Sequence, residues 1–447
     1  MNITVTTEKP ESGQLVATIT IGKKDVDAAI AKTYREIARR YAFQGFRRGR
    51  APRPVIDGIV GRDAVLADAT NSLLNEAEPL MIEQLDIVPL GQIDYGEDPA
   101  LAKEKQDYTI EAKIAVRPDV ELDSYDAPSI EMPPEEVTEA EIDRQIEVLL
   151  SYRTTFQDVE EDRGAEETDI ILADVENINN LREYEGENRM FALNDQRLQQ
   201  EWRDALLGMK KDEEKEISWT REHEREDDEP LKVEFAAKVK VNAIRQAVTP
   251  ELTEENVKED FGFDTIDELR AAVKEEVEVD KKSTLPQLKE DRVVEAIGAH
   301  LTLEEVPAAY SEQVFQEIAN QFLSQLQNQG MSLDGYLQTR GIPADDFIAD
   351  MHAQADERAR QSLALDALVA HLGIGVSDED LRAEFERAGV PNVKNAMDEF
   401  YADGRMPAVR ESIRRTKAVK WLVDNADVTI VDEIARSRED ADEGADE

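Results

Sequence analysis

Residues 43–53 read Phe43-Gln44-Gly45-Phe46-Arg47-Arg48-Gly49-Arg50-Ala51-Pro52-Arg53. Two glycines let the backbone turn tightly, and Pro52 stiffens the exit, leaving Phe46 among guanidinium groups. Arg35, Arg39, Arg40, Arg47, Arg48, Arg50 and Arg53 follow one another with no carboxylate after Glu36. Such a tip suits docking on a surface that mixes anionic phosphate or carboxylate with an apolar notch. The plainer alternative is a solvated loop whose arginines neutralise local acids. The loop also separates two helical patterns. Before it, Val26, Ile30, Tyr34, Ile37 and Tyr41 recur at spacings of 4, 4, 3 and 4, one stripe of an amphipathic helix. After it, Leu66, Ala69, Leu73 and Ala77 mark a second helix.

Further outward, period-2 alternation takes over. Ile3 and Val5, then Leu15, Ala17, Ile19 and Ile21, flank the turn-prone stretch 9–13 and predict a hairpin. Tyr108, Ile110, Ala112, Ile114 and Val116 predict a strand returning to that sheet, so residues 1–118 read as an α+β domain. Residues 119–165 read as a linker with one helix, opened by a capping box at Thr138 and Glu141 and burying Ile142, Ile146, Leu149 and Leu150. Short apolar runs in 166–246 predict a small strand-rich domain with a short helix. From 247 to 432 helical periodicity dominates. Ile266, Leu269, Val273 and Val277 form one stripe, Phe315, Ile318, Phe322 and Leu326 another, with breaks at Gly330, Gly341 and Gly373. The predicted fold class is multidomain α+β, ending in an elongated helical domain with projecting arms. Residues 433–447 read as a disordered acidic tail.

The composition limits function. With 53 basic and 100 acidic residues the formal net charge is −47, spread along the whole chain. That spread favours a medium of molar salt, where screening shortens to about 3 Å, over a single basic partner. No cysteine is present, and His223, His300, His352 and His371 show no i, i+4 pair. Neither a metal site nor a histidine-based triad is expected, and no Gly-rich phosphate loop suggests a nucleotide; the expected cofactor set is empty. The N-terminal stretch has no basic n-region or apolar h-region, and nothing approaches the roughly 18 apolar residues of a spanning helix. A cytoplasmic protein without membrane contact is expected.

The run Gly45-Phe46-Arg47-Arg48-Gly49-Arg50-Ala51-Pro52 resembles the ribosome-docking signature of the trigger factor family, the bacterial chaperones that meet nascent chains at the tunnel exit. The family pattern is glycine, phenylalanine, arginine, any residue, glycine, lysine or arginine, any residue, proline; every fixed position matches. The likeness spans nearly the whole chain, with Leu206-Leu207-Gly208-Met209-Lys210-Lys211 and residues 325–337 as further matches. It implies that Gly45, Phe46, Arg47, Arg48, Gly49, Arg50 and Pro52 dock on the large ribosomal subunit through loop 43–53. It implies that the helical arms hold nascent and unfolded polypeptides without ATP, with Phe315, Phe322, Leu326, Met331, Leu337 and Met351 as candidate contacts or, for each, helix-packing core. A homodimer is one state open to the free protein.

The resemblance also implies that 166–246 is similar to the FK506-binding prolyl isomerases, with Trp202 as the aromatic floor of the prolyl pocket and Tyr184, Phe191 and Leu198 as walls. Val175 then stands where an aromatic is common, Gln199 where an aliphatic is usual, and Asn194, Glu201 and Asp212 where glycine is expected. The charged stretch 221–229 replaces the aromatic-bearing loop that closes the pocket. Isomerase activity is therefore expected to be weak or absent. The readings in competition are a ribosome-bound chaperone, a prolyl isomerase that the other domains deliver, and a nucleic-acid binder, which the net charge disfavours.

Overall fold

The computed structural model describes residues 1–11, 13–96, 99–160, 162–195, 198–225 and 228–445. The chain begins β1 (Ile3–Glu11), β2 (Gln14–Ile21), α1 (Lys23–Arg40), α2 (Arg53–Val60), α3 (Arg62–Leu85) and β3 (Tyr108–Ala115). It continues with β4 (Ser129–Met132), α4 (Glu139–Ser151), β5 (Thr155–Asp158), β6 (Ile170–Asn179), β7 (Gly186–Ala192), α5 (Gln200–Leu206), β8 (Glu214–Arg225) and β9 (Asp228–Val248). Next come α6 (Glu254–Asn256), a π turn at Val257–Phe261, α7 (Ile266–Ala299), α8 (Ala308–Asn328), α9 (Leu333–Arg340) and α10 (Ala344–Leu372). The last elements are α11 (Asp378–Arg387), α12 (Val393–Ala402), α13 (Met406–Asn425), β10 (Asp427–Ile430) and α14 (Glu433–Ala445). Two compact units result, Met1–Met132 with Pro286–Thr429, and Pro133–Leu285 with Ile430–Glu447.

In the first unit, β2 is the central strand of an antiparallel sheet in the order β1-β2-β3, with Ile19 opposite both Val5 and Ile110. Its alternating Leu15, Ala17, Ile19 and Ile21 are buried, because that face is covered by the apolar stripes of α1 and α3. Against the helices of the same unit, α3 comes close to the turn after α12. Gly404 makes this possible: at φ +68° it carries no side chain, and a Cβ there would lie 2.9 Å from Pro79 Cα. Arg410 pairs with Glu83 at 2.9 Å and Asp86 at 2.6 Å, Arg414 pairs with Asp86 at 2.6 Å, and Arg117 reaches Asp366 at 3.0 Å and also contacts Glu411.

The second unit holds two cores. One lies in the sheet β5-β9-β6-β7, with β8 also paired to β9, and includes Ile171, Val175, Phe191, Trp202, Leu206 and Val239. The other joins Ile142, Ile146 and Leu150 of α4 to Val257, Leu269 and Val273. The expected capping box opens α4: Glu141 N donates to Thr138 Oγ1 at 3.3 Å and Thr138 N to Glu141 Oε2 at 2.9 Å. Strand β5 lies in the stretch read as linker, bonded to the end of β9 through Thr155 opposite Val248.

The reading of 433–447 as a disordered tail is corrected over 433–445. Those residues form α14, which packs on α4, with Arg438 paired to Glu147 at 3.0 Å; positions 446 and 447 lie outside the described residues. Opposite charges within one acidic segment allow this packing.

Candidate functional site

The stretch 43–53 folds as two turns in tandem. Phe46 N donates to Phe43 O at 3.1 Å and Arg50 N to Arg47 O at 2.9 Å, while Gly45 and Gly49 carry φ of +83° and +80°. A positive φ at the third residue of a hydrogen-bonded turn is the type II geometry, which demands glycine there; this explains why the two glycines stand four residues apart. The base of the loop is fixed by Phe43, only 5% exposed, and by a bond from Gly49 N to Ala38 O at 2.7 Å. Pro52 caps α2 and hands the chain directly to a helix.

The tip is exposed. Phe46 keeps 42% of its surface, and Arg47, Arg48, Gly49, Arg50 and Pro52 are all exposed. Among the described residues, Arg39, Arg40, Arg47, Arg48 and Arg50 take part in no ion pair, in a chain with 100 carboxylate side chains. Local neutralisation therefore does not account for them. Arg53 differs: it pairs with Glu104 at 2.6 Å and lies over the Tyr34 ring. Two further apolar residues near the loop are exposed, Tyr41 at 53% and Ile59 at 66%. The stripe reading of α1 predicts Tyr41 as core; as the residue that ends the helix it escapes the buried face.

In the strand-rich module, Trp202 is fully buried. Tyr184 stacks on its indole at 4.7 Å and 21°, Phe191 meets it edge-on at 5.5 Å, and Trp219 lies 6.3 Å away. Leu198 is half-buried beside them and belongs to the same cluster. The four predicted pocket residues thus come together in one buried cluster, with Tyr184 stacked on one face of the Trp202 indole. Burial pushes the Tyr184 hydroxyl above its ordinary range, which the bond it accepts from Gln199 N at 3.4 Å partly opposes. Asp212 adopts φ +62°, so the turn that would suit glycine is kept by a residue whose short polar side chain tolerates the left-handed region. The stretch 221–229 runs as the end of β8 and the start of β9, with 226 and 227 outside the described residues.

Two family models match, that of the bacterial trigger factor protein over residues 1–149 and that of the bacterial trigger factor C-terminus over 265–424. The chain belongs to the trigger factor family. Trigger factor of Bacillus cytotoxicus is 28% identical over 429 residues, covering 94% of this chain and 98% of the relative. Those of Halalkalibacterium halodurans and Staphylococcus saprophyticus are 26% and 27% identical, covering 94% and 95% of this chain and 98% and 97% of the relatives. A solved trigger factor chaperone, described for promiscuous substrate recognition in folding and assembly, matches with a TM-score of 0.37 at 19% identity, over 94% of this chain and 99% of that one. Family membership makes the chain a folding chaperone. Among the described residues no helix is long and apolar enough to cross a membrane, and no cluster of three or more metal-ligating side chains is found.

For a trigger factor, the helical hairpin α8–α10 is the second region of interest. Leu326, Leu337 and Met351 are buried, so their side chains are packing core. Phe315 stacks on His352 at 4.0 Å, and Phe322 sits 5.3 Å from both Tyr336 and Phe347; both phenylalanines are half-buried. Met331 alone among the six candidates is exposed, at 40%. The pairs 315–352 and 322–347 make α8 and α10 antiparallel, so the next residue on each helix, Leu323 and Ile348, turns to one side of the hairpin. They are 40% and 47% exposed. Sequence periodicity assigns apolar residues to a stripe and misses these two, which sit one step off it.

Proposed function

We propose that this chain is a ribosome-docked, nucleotide-independent chaperone of the cytoplasm. Loop 43–53 anchors it to the large subunit beside the exit tunnel, and Leu323, Met331 and Ile348 on the α8–α10 hairpin, with the rims of Phe315 and Phe322, hold emerging apolar segments. The observation that carries the reading is the hydrogen-bonded double turn that presents Phe46 amid arginines without an ion pair among the described residues, in a chain of net charge −47. Phosphate-rich RNA attracts guanidinium groups while an apolar notch accepts the ring. Many weak apolar contacts then bind and release unfolded segments rapidly without a chemical energy source. The reading as a delivered isomerase is opposed by the complete burial of Trp202 among Tyr184, Phe191 and Trp219.

The test is sedimentation of the full chain with purified large and small subunits, alongside suppression of aggregation of a denatured client without ATP. Association with the large subunit alone, together with suppression, is the expected result. Equal binding to both subunits, or to neither, contradicts the docking reading.

A further inference from the structure

α2, which receives the chain from the docking loop, is eight residues long and has one fully buried residue, Ile56. Val55 and Val60 pack on the same core only partly buried, and a polar contact with α1 adds to this anchoring. Tyr34 belongs to the buried stripe of α1 and is 6% exposed, yet its hydroxyl donates to Asp57 Oδ1 of α2 at 2.5 Å. The Arg53 guanidinium lies 4.6 Å above the Tyr34 ring and pairs with Glu104 at 2.6 Å. In the second turn of the loop, Gly49 N is bonded to Ala38 O, one turn of α1 beyond Tyr34. Both contacts converge on α1, so the place where α2 starts decides how Pro52, Arg50 and the two turns stand.

We propose that the Tyr34–Asp57 hydrogen bond, with Arg53 laid across the ring, is a positioning clasp that pre-sets the docking loop before it meets the ribosome. The inference rests on the reading of 43–53 as the docking loop. Tyr34 is too buried to touch the ribosome; it acts through the loop. A loop already held in its bound geometry loses less conformational freedom on docking, and affinity follows. A hydroxyl donating to a carboxylate is a charge-assisted bond, stronger than a neutral pair, and suits this task.

In the full chain, Tyr34→Phe removes the hydroxyl and leaves the ring and its contact with Arg53. Asp57→Ala removes the acceptor, and Asp57→Asn restores an oxygen that can accept. The expected result at low salt is a loss of affinity for large subunits of about tenfold for Tyr34→Phe and for Asp57→Ala, no further loss in the double variant, and partial recovery with Asp57→Asn, whose neutral oxygen accepts a weaker bond. Aggregation suppression should not change. Amide exchange separates a clasp from general destabilisation: Phe46, Gly49 and Arg50 amides should exchange faster in Tyr34→Phe while α3 amides keep their protection. Wild-type affinity in Tyr34→Phe, when Phe46→Ala in the same assay has lost binding, overturns the clasp alone. Wild-type affinity in both overturns the docking reading and the clasp with it. Exchange that rises uniformly through the N-terminal residues assigns Tyr34 to the core and also overturns it.

Discussion

A Cβ added at Gly164 would lie 2.5 Å from Gly208 O, with the bonds Gly208 N to Ala165 O at 2.8 Å and Ala165 N to Met209 O at 2.9 Å on either side. The backbone cannot yield without breaking these bonds. Gly164→Ala should destabilise the strand-rich module by about 2–3 kcal/mol, read as an earlier tryptophan-fluorescence transition on heating. Beside it, Asp169 is 1% exposed and receives both Arg163 guanidinium nitrogens, at 2.5 and 2.9 Å. Burial alone would raise its carboxyl, but Arg163 and the Glu166 amide outweigh burial and hold it below the ordinary range. A depressed carboxyl stabilises the fold fully above its unfolded value of about 3.9 and ceases to as pH falls through the lower folded value. Acid unfolding of the module should therefore steepen below about pH 4, and Asp169→Asn should flatten that slope. The cluster of arginines around Phe46, and the two glycines that turn the loop, were legible in the sequence because they are adjacent in it. Tyr34 with Asp57, or Gly164 with Gly208, were not, because neither pair has a periodic signature and only folding brings them together.

Helices with long apolar stripes, α1, α3 and α4, announce themselves in the sequence, as does the alternating β2. Two short elements do not. α2 is only two turns long, too short for Val55, Ile56, Ile59 and Val60 to stand out as a stripe, and β5 is four residues, all exposed, whose strand character comes from pairing with β9. The aromatic module shows the same limit from the other side. Trp202, Tyr184, Phe191 and Leu198 could be picked out as a group by resemblance, but the stacking of Tyr184 on the indole depends on packing. Prolyl isomerisation needs the imide seated in an apolar pocket that excludes water, and the indole that would serve as its floor is fully buried and has Tyr184 stacked on one face. The full chain at catalytic concentration should not accelerate a proline-limited refolding phase, which lasts roughly 10–100 s uncatalysed at 25 °C. Acceleration that disappears in Trp202→Ala would show that Tyr184 gives way to substrate.

For the whole molecule, charge is the governing term. Ion pairs such as Arg410–Glu83, Arg414–Asp86 and Arg117–Asp366 are partly buried and lose little on screening, whereas 47 uncompensated charges repel over about 30 Å at 0.01 M salt. The balance favours salt: the melting temperature should climb steadily from millimolar to molar KCl, and a flat or falling curve would show that the pairs dominate. The proposed docking should run the other way, since screening weakens attraction between arginine and phosphate and would leave Phe46 to carry more of the affinity. On the docking proposed above, one exposed loop, and not the general surface, attaches this chaperone to the ribosome. Replacing Phe46, Arg47 and Arg48 together by alanine and measuring co-sedimentation with ribosomes tests it most directly. The variant should stay in the supernatant while melting and suppressing aggregation as the wild type does; wild-type occupancy of the ribosomal pellet would contradict the claim.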